Sequence, residues 1–289
     1  MMTNNFNFER FGLVFKRDVI ENWRKDLRTY IGMFLGFFLT MLILHPENVI
    51  FSHVETGERS ELTTAFMVPL ALVAVLYVFL GLSGMFSNLS HKQSRISFFM
   101  LPASNLEKYL VRLLRSSILT WIVIFICFVL ADLASWAVHI AFGANPSLLL
   151  PRFFPALQEF RVFYVAIANQ AIDANTPVVL FYINHITSAL AWMGTYILGA
   201  AVFRKQPFIL TSLCVFAVTT MMTLGMFFVG AHFLTEEQLK NGILNMERNM
   251  TFYFYFTLIF NTLWTVFCFW ITYRMFKNAN VIAQRTIGL

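Results

Sequence analysis

Long apolar runs separated by short polar stretches extend along the whole chain. Helices over these runs, at about 1.5 Å per residue, match or approach a hydrocarbon core of about 30 Å. The runs lie at about residues 30–44, 65–89, 116–141, 177–203, 207–234 and 251–273. Lipid leaves no backbone polar group unpaired, and the runs are too long for barrel strands. The pattern therefore predicts an all-α integral membrane protein with six transmembrane helices.

The segment before the first run has a different pattern, with apolar residues at helical spacing and charged residues between them. The apolar stripe consists of Phe8, Phe11, Phe15, Val19, Trp23, Leu27 and Tyr30. Such a helix is expected to lie along the membrane surface. We therefore predict an amphipathic interfacial helix over residues 1–29, followed by a transmembrane domain over residues 30–289. A simple membrane anchor and a contact for a cytosolic ATPase both remain open as its role.

Composition and charge strengthen the membrane assignment and give it an orientation. The chain is 58% hydrophobic and 12% charged, whereas soluble domains have about 25% charged residues. Of the 21 Lys and Arg, sixteen lie in the amino-terminal segment, the loop before residue 116, the 204–206 turn and the carboxyl-terminal tail. The positive-inside rule then places both termini in the cytoplasm, as six spans require. The same distribution explains the net charge of +6 without a nucleic-acid partner.

The cytoplasmic loop at residues 90–116 is the most informative polar stretch. It combines the basic residue Arg95 with an apolar knuckle, Phe98, Phe99 and Leu101, and then a stop at Pro102. An apolar knuckle on a cytoplasmic loop suits a contact with a cytosolic partner.

A helix start follows the knuckle. Ser104 and Glu107 have the spacing of a capping box, in which each side chain accepts a hydrogen bond from the other residue's backbone. No Pro or Gly follows until Gly143, so one helix of roughly 55 Å is predicted. Much of that helix must project into the cytoplasm.

The order of these elements, with LPASNLEKYLVRLLR leading into the third span, resembles the membrane subunits of ABC exporters of the type-2 permease family. The resemblance implies a permease in the cytoplasmic membrane of a bacterium, forming a homodimer or a heterodimer with a second permease. It implies that a separate ATPase subunit, carrying ATP and Mg²⁺, docks on the knuckle. Ser104, Glu107 and Lys108 would then transmit ATPase closure to the spans.

The chain itself lacks the motifs of an ATPase or a metalloenzyme. GxxxxGK[ST] and HExxH are both absent, and no His, Cys and Asp residues have metal-ligand spacing. We therefore expect no enzymatic activity and no cofactor on this chain. A non-catalytic membrane scaffold or assembly protein remains an alternative.

An intramembrane serine protease is a weaker alternative, because GLSG around Ser83 matches the nucleophile motif of rhomboid-type proteases. A serine nucleophile needs an imidazole within hydrogen-bond reach. His139, His185 and His232 fall toward the outer ends of their spans, more than about 10 Å from Ser83 along the helix axes. Small residues that allow close helix packing explain the motif better.

Asp132 is the acidic residue inside an apolar span, where ionisable groups are costly. Asn184 and His185 on the fourth span are expected at a similar depth. These three residues are predicted to line the upper part of a substrate pathway. A buried hydrogen bond between helices, or exposure of Asp132 to a water-filled vestibule, is the structural alternative.

Overall fold

A computed structural model describes residues 6–44, 59–87, 92–143, 148–151, 178–203, 205–233 and 250–278, and this part is helical without strands. Its helices are α1 (Phe8–Leu44), α2 (Arg59–Ser83), α3 (Lys92–Phe99), α4 (Asn105–Leu114), α5 (Thr120–Ala141), α6 (Val178–Val202), α7 (Pro207–Phe233) and α8 (Met250–Lys277). Four helical stretches are long and apolar enough to cross a membrane: Phe8–Ile43, Asn105–Ala141, Pro207–Gly225 and Phe254–Lys277. The prediction of an all-α fold is confirmed for the described residues, and these four stretches agree with the predicted multi-pass membrane protein.

The helix predicted to begin at Ser104 is also confirmed. α4 and α5 are joined by a π-helical segment, Arg115–Leu119, so the chain is helical from Asn105 to Ala141. These 37 residues extend about 55 Å. The chain divides into two compact units, Met1–Gly81 with Pro102–Phe163 and Leu82–Leu101 with Tyr164–Leu289.

In the first unit, α1 and the α4–α5 helix run parallel to each other. Asp18 pairs with Arg115 near one end, and the rings of Phe37 and Phe128 meet edge to face at 5.9 Å further along. α2 runs in the opposite direction, because Gly36 faces Val73. At the other end of α2, Gly81 lies against the side chain of Thr120. The unit is therefore a parallel helix pair with an antiparallel third helix.

α1 continues without interruption through the predicted boundary between residues 29 and 30. The amphipathic segment and the first span thus form a single helix of 37 residues, about 55 Å long. No Pro breaks this helix, and its inward side chains continue from Asp18 and Asn22 to Met33 and Phe37. The boundary is a change from polar to apolar contacts along one helix.

The second unit has the same internal arrangement. Asn184 on α6 accepts a hydrogen bond from Thr257 on α8 at 3.1 Å, and Thr195 accepts one from Trp264 at 2.9 Å, so α6 and α8 run parallel. Gly194 brings the two backbones close, because a Cβ there would lie 3.2 Å from the Cβ of Cys268. α7 turns back along α6, with Tyr196 hydrogen-bonded to Ser212.

We expect Gly199→Ala to destabilise the α6–α7 hairpin. A methyl group at residue 199 would collide with the buried side chain of Thr211, including the Thr211 Cβ at 2.8 Å. The Thr211 side chain cannot easily turn away, because it is β-branched and its hydroxyl donates a hydrogen bond to the Pro207 carbonyl. Overpacking of this kind costs about 1–3 kcal/mol. Thermal unfolding of the detergent-purified protein measures the effect. Gly225→Ala on α7 is the matched control, because its Cβ meets nothing within 4 Å and should leave the melting temperature unchanged or higher.

Candidate functional site

The start of α4 is held by the predicted capping box. The Ser104 hydroxyl accepts a hydrogen bond from the Glu107 N–H at 3.2 Å, and Glu107 Oε2 accepts one from the Ser104 N–H at 2.8 Å. Two backbone donors that the helix start leaves unpaired are thereby satisfied. This fixes where α4 begins.

The second oxygen of Glu107 joins the start of α4 to the start of α1. Glu107 Oε1 accepts hydrogen bonds from the Asn7 N–H and from Arg10 Nη2, both at 2.8 Å. Asn7 in turn accepts the Glu9 N–H at 2.9 Å and so helps to cap α1. Because Glu107 is fully buried, one carboxylate organises two helix starts away from water.

These contacts keep Glu107 ionised. Burial by itself raises the pKa of the Glu107 carboxyl, but hydrogen bonds from Arg10, Asn7 and Ser104, and the positive charge of Arg10, outweigh burial. The resulting pKa is about 2. The neighbouring Lys108 is also buried, and burial lowers the pKa of its ammonium group while the Glu107 charge opposes the shift.

A second ionic contact lies two to three turns further along the parallel pair. Arg115 Nη1 lies 2.9 Å from Asp18 Oδ2 and also donates to the Asp18 carbonyl at 3.3 Å. Its Nε lies 4.0 Å from Asp26 Oδ2, so the guanidinium lies between two carboxylates of α1. Asn22 donates to the same Asp18 carbonyl at 2.7 Å. This buried network fixes the lateral position of α4 on α1.

Arg112 lies one turn before Arg115 and is also buried. Burial lowers the pKa of its guanidinium to about 10; the charge of Asp18 opposes this shift and that of Arg115 adds to it. Arg112 therefore remains a cation at neutral pH. This end of the helix pair thus holds Asp18, Arg112 and Arg115 in its interior.

The π-helical segment begins at Arg115, where the charged α4 gives way to the apolar α5. Ser117 donates to the Leu113 carbonyl at 2.6 Å, and Thr120 donates to the Arg115 carbonyl at 3.4 Å. π-helical turns are rare inside α-helices, and those that do occur are frequently found at functional sites.

The knuckle packs partly into the second unit: Phe98 is buried, and Phe99 and Leu101 are half-buried. Phe98 is only 4% exposed, and its ring lies 6.3 Å from that of Phe276 on α8. Phe99 and Phe86 lie 5.7 and 6.0 Å from the same Phe276 ring. Met100, at 75% exposed, is the large apolar side chain that the knuckle presents outward.

The other predicted coupling residues have mixed exposure. Arg95 and Leu101 are half-buried and Pro102 is exposed, whereas Glu107 and Lys108 are buried. The turn after α3 is thus partly exposed, whereas Glu107 and Lys108 lie in the interior of the first unit.

Of the predicted pathway residues, Asp132 has backbone partners in the short segment that follows α5. Its two oxygens accept the N–H groups of Leu149 and Leu150 at 3.0 and 2.9 Å, and it is 3% exposed. Asp132 thereby caps the helical turn at residues 149–151. These bonds give Asp132 a structural role inside the first unit.

Asn184 bonds to Thr257 in the second unit, and His185 beside it is exposed. Because these residues and Asp132 belong to different units, the predicted contact of Asp132 with Asn184 or His185 stays a prediction. The pathway role of all three residues stays a prediction as well.

The order of contacts along α8 separates Ser83 from His185, one of the three candidate bases of the serine-protease alternative. Ser83 is buried near Phe86, which meets Phe276 at the end of α8, whereas His185 is adjacent to Asn184, which bonds to Thr257. Residues 257 and 276 are separated by about 28 Å along the helix. His139 lies in the first unit, with Nδ1 2.8 Å from the Ser135 carbonyl, and the side chain of His232 lies outside the described residues.

Sequence reasoning missed the partners that hold the loop helices, namely Asn7, Arg10, Asp18, Arg115 and Phe276. The recurrence of Asp18, Asn22 and Asp26 every four residues was a usable signal, since it places a polar stripe on one face of α1. Among the residues that the structure describes, no group of three His, Cys, Asp or Glu could hold a metal ion. Comparisons with protein-family models, curated proteins and solved structures gave no match.

We expect Asp18→Asn and Arg115→Gln each to reduce the free energy of unfolding by about 3–5 kcal/mol, since each leaves a buried charge without its partner. The double variant should lose less than the sum of the two. Denaturant titration in detergent, followed by tryptophan fluorescence, measures these values. Arg17→Gln is the control: its 3.8 Å pair with Glu21 is more than 40% exposed and should contribute at most about 1 kcal/mol. Equal losses at both pairs would contradict the assigned role.

Glu107→Gln should make the stability of the fold less dependent on pH in the acidic range. The folded-state pKa of about 2 lies below the ordinary value of 4.5, so the ionised carboxylate stabilises the fold above pH 4.5, and this stabilisation is lost as pH falls through 2. We expect the variant to melt below the parent at pH 7, with a gap that narrows from pH 4.5 downward. Melting curves between pH 2.5 and 7 test this, and a gap of constant size would contradict it.

Proposed function

We propose that this chain is the transmembrane subunit of an ATP-driven exporter and couples a separate ATPase subunit to movement of its membrane helices. The observation that carries the proposal is the double fastening of the loop formed by residues 92–114. α3 is held on α8 by aromatic rings, and α4 is held on α1 by Glu107 and Arg115. A partner bound to this loop would act on both units of the chain.

The directions of the helices support six spans. In the first unit, α1 and α5 run parallel, so the chain must return between them, and antiparallel α2 provides the 25-residue return. In the second unit, α7 provides the return between parallel α6 and α8. Three crossings in each unit would make six spans, an even number that agrees with the orientation expected from the positive-inside rule.

The charge distribution supports a cytoplasmic position for the loop. Arg112 and Arg115 lie on the same end of the first unit as the amino terminus of α1, and Arg274 and Lys277 lie at the end of α8 where α3 packs. Under the positive-inside rule, both ends face the cytoplasm. We propose the cytoplasmic membrane of a bacterium as the location, with two permease chains and two ATPase subunits in the assembly.

A coupling element must resist deformation if it is to transmit a displacement. Residues 105–115 project beyond the apolar part of the α4–α5 helix, and buried ionic contacts fasten them to α1 at two heights. The exposed tip before this helix, Met100 and Pro102, is available for a partner. ATP and Mg²⁺ would be bound by that partner.

The proposal predicts that a P-loop ATPase is recovered when the tagged chain is purified in mild detergent from its own cells. Met100→Asp should reduce this recovery at least five-fold, because it places a charge at the exposed tip while leaving the buried rings of Phe98 and Phe276 in place. Quantitative mass spectrometry of the purified material gives the ratio.

Phe142→Asp is the matched control, since this side chain is 87% exposed at the opposite end of α5 and should leave recovery unchanged. Failure to recover any ATPase with the parent, even after crosslinking in intact cells, would refute the exporter function and favour the scaffold. Equal recovery with Met100→Asp would instead show that the ATPase binds elsewhere.

A further inference from the structure

The aromatic cluster of Phe86, Phe98, Phe99 and Phe276 is built from two regions distant in sequence. Phe86 lies three residues after the end of α2, Phe98 and Phe99 lie in α3, and Phe276 is the penultimate residue of α8. Phe276 is fully buried, and all three other rings lie within 6.3 Å of its ring. The end of the last helix is thus enclosed by the loop that follows α2.

α3 and α4 are close in sequence but are fastened to different helices. α3 belongs to the unit that contains α8, whereas α4 belongs to the unit that contains α1, and the division falls between Leu101 and Pro102. A displacement applied at Met100 therefore reaches α8 through the rings of Phe98 and Phe99. It reaches α1 separately, through Glu107 and Arg10.

We propose that Phe276 is a positioning residue for coupling: it holds α3 on α8, so that α3 and the end of α8 move as one body when the ATPase acts. This inference rests on the proposed function and adds a second output, the α8 helix, to the one through α4. Phe276 itself need not contact the ATPase, because its side chain is fully buried.

The test uses the complex of the full chain with the ATPase that the parent recovers. Its readout is the change in ATP hydrolysis rate that the membrane chain causes relative to the isolated ATPase. Phe276→Ala should keep ATPase recovery within two-fold of the parent and reduce this change at least five-fold. Phe276→Leu, which keeps an apolar side chain of similar length, should restore most of it. Phe256→Ala on the same helix is the control, since Phe256 is 59% exposed.

A second variant tests the inference by replacing the contact between two rings of the cluster with a covalent link. Phe99→Cys and Phe276→Cys, in a chain whose three native cysteines are replaced, are joined by a short thiol-reactive linker. If α3 and α8 move together, the linked complex retains at least half of the parent's effect on hydrolysis. Loss of the effect on linking, with recovery on cleavage of the linker, would overturn the inference.

The outcomes separate the two proposals. An unchanged effect in Phe276→Ala would overturn the role of Phe276 and leave the exporter function standing. Absence of any recovered ATPase with the parent would refute the exporter function and this inference together. If Phe276→Ala does not fold, the linked variant decides alone.

Discussion

The ionised carboxylate of Glu107 has to be satisfied away from water, and the contacts that satisfy it determine how the first unit is arranged. One oxygen caps α4 from within, and the other binds the backbone of Asn7 and the guanidinium of Arg10. An unpaired buried charge would cost several kcal/mol, so the two helix starts must stay side by side. α1 and the α4–α5 helix start side by side and run parallel, so the chain has to return between them, which it does through α2.

The same pair shows a change in chemistry along its length. Near its start, the acidic side chains Asp18 and Asp26 face Arg115, while Lys16, Arg17 and Arg24 are exposed. Further along, Met33, Phe37 and Met41 take over the buried positions. α1 is therefore amphipathic in two senses: it packs through a polar stripe outside the apolar zone and through an apolar stripe within it. A single continuous helix satisfies both requirements.

Features set by neighbouring residues could be predicted from the sequence. The capping box at Ser104 and Glu107 depends on residues three apart, and the length of the following helix depends on the absence of Pro and Gly. The partners of Glu107 and Arg115 lie about 100 residues away, so local spacing does not reveal them. For the same reason, the sequence does not reveal that Phe98 in the knuckle is buried against Phe276. Periodicity identifies apolar residues but not which neighbour covers them.

The loop formed by residues 92–114 is held in place by contacts of two different kinds. α3 is held on α8 by apolar packing: the rings of Phe86, Phe98 and Phe99 surround the fully buried Phe276, and the hold depends on contact area and ring geometry rather than on directed bonds. The fastening of α4 is ionic and directional, and the Glu107 and Arg115 bonds tolerate little change in angle or distance. The two fastenings therefore depend on different chemistry. Loss of a charge weakens the hold of α4 on α1, because it leaves a buried partner unpaired, whereas loss of apolar volume weakens the hold of α3 on α8.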